Sequence, residues 1–335
     1  MNIYVRRAVM MAVIAISVFM GIWGHADAAD ACKVLVVSSY HESFFDTPNT
    51  NASIEEVLGA ECTMTYLYLE ALTDPSGADT KAQEIFAHYQ TMQPDGVIAV
   101  GEQAQEAFVV PYLREKVKTP VIFCGIPSPE KFDYPAANVS GCSLHEPIGD
   151  AIVFAQQLVP EIATVGLLFA DEPPAHNVIK QIASERDTYP VTLLDPVVVT
   201  TAEEAVEQAA VLKDQCDALF IGPITKVVGA ANANFASEQV LFAAIRQAFG
   251  KATFTVFSPY IEAGLLCGVG RVVEEPGLVA AEMLQKAMSG TPFAELPITQ
   301  NQFGQRFLNK TVLKELGITP SRQLLTGTEI VEIPQ

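Results

Sequence analysis

The chain has 335 residues, half of them hydrophobic, with 20 Lys and Arg against 39 Asp and Glu and a formal charge of −19. So acidic a chain offers no clustered cations for phosphates, which excludes nucleic acid as a partner and suits a freely diffusing carrier. The length allows two domains, each with a sizeable core.

Residues 1–29 read as a secretion signal. Arg6 and Arg7 form the positive region, residues 8–23 an apolar run, and Ala26-Asp27-Ala28 a small-x-small cleavage site. The apolar run is about 16 residues, short of the roughly 18–20 that span a bilayer. Cleavage near Ala28 implies a periplasmic protein. Acidic Asp30, two residues before Cys32, fits lipid attachment poorly.

From residue 33 strand and helix patterns alternate. Strands are expected at 33–39, 63–70, 96–100, 120–124 and 138–143, with helices at 48–60, 79–92 and 103–117. The series then restarts. Helices are expected at 148–158, 178–186, 202–213, 238–249 and 277–288, and strands at 164–169, 191–199, 218–221, 253–257 and 265–269. Most strand segments are continuous apolar runs, the mark of strands covered on both faces. The fold class is α/β: two doubly wound parallel-sheet lobes with a ligand cleft between them. The expected lobes are 30–145 plus 264–297, and 146–263 plus 298–335. Crossings are expected at 143–148, 258–263 and near 296–302, which together form a hinge able to close on a ligand.

Six cysteines follow the signal, and an oxidising compartment permits disulfides. Cys32 and Cys62 precede the first two strands, which would put both at one edge of a sheet, so a Cys32–Cys62 bridge is expected. Cys124 and Cys142, in consecutive strands, are a second candidate pair. Cys216 and Cys267 read as buried thiols. No CxxC occurs and the spacings match no zinc site, so no metal is expected.

Open α/β sheets hold ligands at the carboxyl ends of their strands. The first lobe offers Ser38, Ser39, Tyr40 and His41, then Gly101, Glu102 and Gln103, then Gly125, Ile126 and Pro127. The second offers Ala170 and Asp171, Gly222 to Thr225, and Ser258 with Tyr260. Helix-start N–H groups in such loops suit a carboxylate. Tyr40, Phe44, Phe45 and Tyr260 are candidates for an apolar wall. Each residue also has a plainer reading: Ser38 and Ser39 as caps, His41 as a surface-loop residue, Glu102 as a helix-dipole partner, and Tyr40 and Tyr260 as packing. GxSxG, HExxH, GxxxxGK[ST] and strand-following GxGxxG are all absent, and Glu203-Glu204 and Glu274-Glu275 read as solvated pairs. No enzyme and no cofactor are expected.

Residues 94–108 (PDGVIAVGEQAQEAF), 120–132 (PVIFCGIPSPEKF) and 138–143 (NVSGCS) resemble the ABC-transporter substrate-binding family that includes tryptophan and tyrosine binders. The tail resembles it too, in SPYIEAGLLCGVG (258–270), GLVAAEMLQKAMSGTPFAELPI (277–298) and RFLNKTVLKELGI (306–318). The likeness runs from about residue 33 to 325. It implies a type I periplasmic-binding-protein fold and an extracytoplasmic solute-binding component of an ABC transport system. Such a protein captures a small organic molecule by hinge closure and serves an inner-membrane ABC permease. SSYHESFFDT (38–47) resembles a subgroup associated with signalling, which leaves a ligand sensor feeding a membrane histidine kinase as the alternative. Pro127-Ser128-Pro129 and Pro223-Ile224-Thr225 stand where the aromatic-amino-acid binders carry acidic residues, so that specificity is not carried over. Glu102 and Asp171 are the candidate replacements for a ligand amine.

Overall fold

Side chains that alternate between two buried faces along single strands organise both halves of the molecule. The computed structural model describes residues 31–333 except 45, 72, 75 and 230–233. The expected secretion signal at 1–29 and Phe45 lie outside the described residues. The first half runs β1 (Cys32–Ser38), α1 (Thr47–Leu58), β2 (Cys62–Tyr68), α2 (Ala78–Met92), β3 (Gly96–Val100), α3 (Gln105–Leu113), β4 (Val121–Ile126) and β5 (Val139–Ser143). In β1, Leu35 and Val37 pack against α2 and α3, while Val34 and Val36 pack against Ile54 and Leu58 of α1. Period-2 alternation thus serves two apolar faces, and every residue of β3 and of β5 is buried.

The second half runs α4 (Ile148–Leu158), β6 (Thr164–Ala170), α5 (Pro173–Glu185), β7 (Thr192–Val199), α6 (Ala202–Leu212), β8 (Ala218–Ile221), α7 (Glu238–Phe249), β9 (Ala252–Thr255), α8 (Ser258–Glu262) and β10 (Cys267–Arg271). Val165, Leu167 and Phe169 of β6 face α4 and α5, while Leu168 and Ala170 face α6 and α7. The chain then returns to the first lobe with α9 (Glu275–Met288) and β11 (Thr299–Gln300). It ends on the second with β12 (Gly304–Asn309), α10 (Lys310–Glu315), α11 (Arg322–Leu325) and β13 (Thr328–Val331).

The first sheet has the order β11-β5-β4-β3-β1-β2 and the second β13-β12-β10-β9-β8-β6-β7. All pairings are parallel except β10 with β12. Helix α9 completes the first lobe, packing Ala280, Ala281 and Leu284 beneath β3 to β5. Its Gly277 lies so close to α1 that a Cβ there would sit 2.1 Å from Ser53 Oγ.

One boundary differs from expectation. Residues 264–271 were expected in the first lobe, yet β10 pairs with β9 and β12 in the second sheet. Gly268 explains the placement: its backbone passes so close to Thr255 that a Cβ would lie 2.1 Å from the Thr255 carbonyl oxygen. The segment at 258–263 is therefore the short helix α8 rather than a crossing, and the chain crosses back at 272–274.

Three crossings join the lobes, and polar groups tie them together. Asn301 accepts from His145 N (2.8 Å) and donates to His145 O (2.9 Å). The buried carboxylate of Glu275 accepts from Gln302 N (2.7 Å) and Phe303 N (2.8 Å).

Cys32 and Cys62 are the first in-register pair of β1 and β2 and are joined by a disulfide, with Cα atoms 4.3 Å apart. Cys124 and Cys142 also sit in register, but they are separate buried thiols, which corrects the second candidate pair. The Cys142 thiol turns along its own strand toward the Ser143 carbonyl, at 3.8 Å. Burial pushes its pKa up to about 11, so little thiolate forms there. Cys216 and Cys267 are buried and free.

Candidate functional site

The carboxyl ends of the first lobe's strands open onto a pocket of about 150 Å³ at the base of the cleft. Ser38, Tyr40 and Phe44 enter from the end of β1 and its loop. Asp46, Thr47, Thr50 and Asn51 enter from the start of α1, and Val100, Cys124 and Gly125 from β3 and β4. Leu144 and Val273 come from the crossings, Pro276 from the start of α9, and Arg271 from the last position of second-lobe strand β10.

The apolar wall is a stacked pair, Tyr40 on Phe44, with ring centroids 4.4 Å apart. The polar wall is ionic. Arg271 Nη2 lies 3.2 Å from Asp46 Oδ2, and its Nε lies 3.6 Å from Oε1 of buried Glu146. Burial raises both carboxylate pKa values, opposed in each case by the Arg271 charge. Asp46 Oδ1, Thr47 Oγ1, Asn51 Oδ1 and Glu146 Oε2 are buried without a hydrogen-bond partner. Among the described residues the fifth such atom is Arg246 Nε. Native folds rarely leave such atoms unpaired without a reason.

Of the residues singled out in the sequence, Ser38, Tyr40, Phe44 and Gly125 line this pocket. Ser39 does not. Its buried hydroxyl donates to Val100 O and accepts from Ala104 N, both at 2.8 Å. Gly101 has φ +85°, and a Cβ there would meet Ser39 Oγ at 2.6 Å, so it serves the turn. Glu102 pairs with Lys131 at 3.0 Å. Gln103 is half-buried and does not line the pocket. Ile126 is buried in the first lobe's core. Three of the first lobe's strand-end N–H groups are already used: Ser39 N donates to Val100 O, Tyr40 N to Ser38 Oγ and Gly101 N to Cys124 O.

In the second lobe, Asp171 pairs with His176 at 3.0 Å. Thr225 donates from both N and Oγ1 to the Glu172 carboxylate, each at 3.0 Å. Gly222 gives room to the Phe169 ring, which a Cβ would meet at 2.1 Å. Tyr260 packs between Phe242 and Phe257 while its hydroxyl accepts from Ile224 N at 3.1 Å. Ser258 opens α8. None of these five lines the pocket. His41 stays in its loop, 2.8 Å from Ser43 Oγ.

Asp46, Thr47 and Arg271 were missed in the sequence. Asp46-Thr47-Pro48 reads as an ordinary helix start, and Arg271 closes an apolar strand. A wider groove, about 430 Å³, runs along the crossings between His145, Tyr189 and Phe303. It lacks the pocket's defining feature, because its Glu185 carboxylate already accepts from Tyr189 Oη at 2.8 Å. Among the described residues no cluster of three or more His, Cys, Asp or Glu is placed to hold a metal ion, and no helix is long and apolar enough to cross a membrane.

The model of the family described as ABC transporter substrate binding protein matches residues 63–331. No curated protein matches the chain. Among solved structures, a substrate binding protein with adhesive properties from Clostridium difficile, in its ligand-free open form, is similar with TM-score 0.70 and 15% identity, covering 90% of this chain and 100% of that one. An ABC domain in complex with L-Trp from Streptococcus pneumonia has TM-score 0.59 and 18% identity, covering 90% and 99%. A periplasmic ribose ABC transporter protein from Conexibacter woesei has TM-score 0.54 and 12% identity, covering 86% and 95%. At these identities the likeness is one of fold, and that fold is the two-lobed type I periplasmic-binding-protein architecture.

Proposed function

The chain belongs to the ABC transporter substrate binding protein family, and from that premise we propose that it captures a small organic solute in its cleft, outside the cytoplasm, and presents it to an inner-membrane ABC permease. The observation that supports this is the make-up of the pocket. Its walls are first-lobe strand ends and a helix start, while its cation, Arg271, ends a second-lobe strand. A solute there meets both lobes, so its contacts differ between an open and a closed hinge. That difference in contact energy is what shifts the hinge population. The closed form then offers matched surfaces of both lobes to the permease. The leader-like residues 1–29 support export, and the solute is released unchanged.

One structural neighbour holds L-Trp. That specificity is not carried over, because at 18% identity the likeness is one of fold.

The test is a thermal shift of residues 30–335 against amino acids, amines, nucleosides, small carboxylates and sugars. A solute at about 100 times its dissociation constant adds roughly 2.7 kcal/mol, a shift of several degrees. A shift by one chemical class, with the solute recovered intact by mass spectrometry, supports the proposal. Turnover of the solute, or no shift with any class, contradicts it.

A further inference from the structure

From the orphaned oxygens of the pocket we infer that it selects a small primary ammonium ion carrying an apolar body and no carboxylate. The inference rests on reading this pocket as the solute site. Asp46 Oδ1, Thr47 Oγ1 and Asn51 Oδ1 belong to pocket-lining residues and have no partner. Thr47 is 4% exposed, which keeps its hydroxyl out of bulk water. Asn51 Nδ2 is spent on the Tyr68 hydroxyl at 3.1 Å, which leaves its oxygen as the open atom. An ammonium group carries three donors and no acceptor, one donor for each of these oxygens.

Charge points the same way. Two carboxylates, Asp46 and Glu146, face one guanidinium, Arg271, so the cluster holds one net negative charge. A bound cation neutralises it. An anion on the remaining Arg271 Nη1 would bring a third negative charge beside two buried carboxylates and a single guanidinium.

The helix start offers an anion nothing further. Thr47 N donates to Phe44 O at 2.8 Å, residue 48 is proline, and Thr50 N donates to Asp46 O at 3.0 Å. A free helix N-terminus would favour a carboxylate, but here the first N–H is spent on Phe44 O, the second position has none, and the N-cap position carries an acidic side chain turned to Arg271. Size and shape set the rest of the ligand. About 150 Å³ holds a body of up to roughly one aromatic ring, and the stacked Tyr40 and Phe44 faces suit both that body and the cation.

The experiment is calorimetric titration of residues 30–335 with n-butylamine, isoamylamine and 2-phenylethylamine, each beside the carboxylic acid and the alcohol of matching body. The expected result is that at least one amine binds tenfold or more tightly than its matched acid and alcohol. Asp46→Asn should weaken that amine at least tenfold. Thr47→Val, which keeps shape and removes the hydroxyl, should weaken it severalfold and guards against a folding defect in the first variant. Equal or tighter binding of the acid, or amine binding that survives both variants, overturns the inference. Binding of acids, alcohols or sugars without amines overturns it while leaving the solute-binding reading intact. Binding of no solute in any class overturns both.

Discussion

Arg271, at the end of second-lobe strand β10, reaches Asp46 at the head of first-lobe helix α1, with Nη2 and Oδ2 3.2 Å apart. The same guanidinium approaches Glu146 in the first crossing. One side chain therefore joins both lobes and the hinge at the wall of the pocket. Replacing it by Met leaves two sequestered carboxylates without their counter-charge. Removal of one partner from such a buried cluster costs about 3 kcal/mol or more. We expect Arg271→Met to lower the midpoint of thermal unfolding at pH 7 by several degrees and to abolish the solute-induced shift.

The pH response of this cluster has a definite sign. Burial raises the folded-state pKa of both Asp46 and Glu146 above their ordinary values. The folded state therefore holds these protons more tightly than the unfolded chain. Their contribution favours folding below the ordinary carboxylate range and is lost as pH rises through the raised folded values. Glu146→Gln should thus stabilise the protein at pH 7 and have less effect near pH 4, as read by thermal unfolding across that range. A variant that is less stable than wild type at pH 7 would contradict this.

Glu275 braces the third crossing. Its carboxylate holds the N–H groups of Gln302 and Phe303 in the third crossing. Hydrogen bonds to a charged group contribute about 1.5–3 kcal/mol each. Glu275→Ala should speed amide exchange at 301–303 by tenfold or more and leave the centres of β3 and β8 unchanged. Unchanged exchange at 301–303 would show that the crossing is braced by other contacts.

The disulfide closes a loop 30 residues long between the first strands of one sheet. Chain-entropy reasoning puts its contribution at roughly 3.6 kcal/mol. Cys32→Ser together with Cys62→Ser should lower the unfolding midpoint of the first lobe and spare the second. Calorimetry resolves the two if they unfold separately, and reductant should reproduce the effect on wild type.

Much of the fold was legible because its strands carry their burial in plain view. The runs GVIAV, ALFI and ATFT are buried at every residue, and continuous apolar runs between helices signal parallel strands. The lobe boundary after β9 was not legible. Residues 253–257 and 265–269 are both apolar and separated by a short polar stretch, a pattern that fits either a crossing or a helical turn within one lobe. The close backbone approach at Gly268 decides between them, and it exists only in three dimensions. The site divides similarly. Strand-end position identified Ser38, Tyr40 and Gly125, but the same rule also gathered Ser39, Gly101 and Thr225. Their polar groups or missing side chains serve the turns themselves. Asp46 and Thr47 escaped because Asp-Thr-Pro looks like a helix cap, yet Asp46 makes no side-chain capping bond and its carboxylate turns instead to Arg271. Sequence spacing gives no sign of a pairing across 225 residues.

The most direct measurement is a crystal structure of residues 30–335 grown with the solute that gives the largest thermal shift. Density for that solute between Tyr40, Asp46 and Arg271, with the lobes closed over it, is the expected result. Density in the groove between His145, Tyr189 and Phe303, with the Asp46 pocket unchanged, would show that the solute site lies elsewhere.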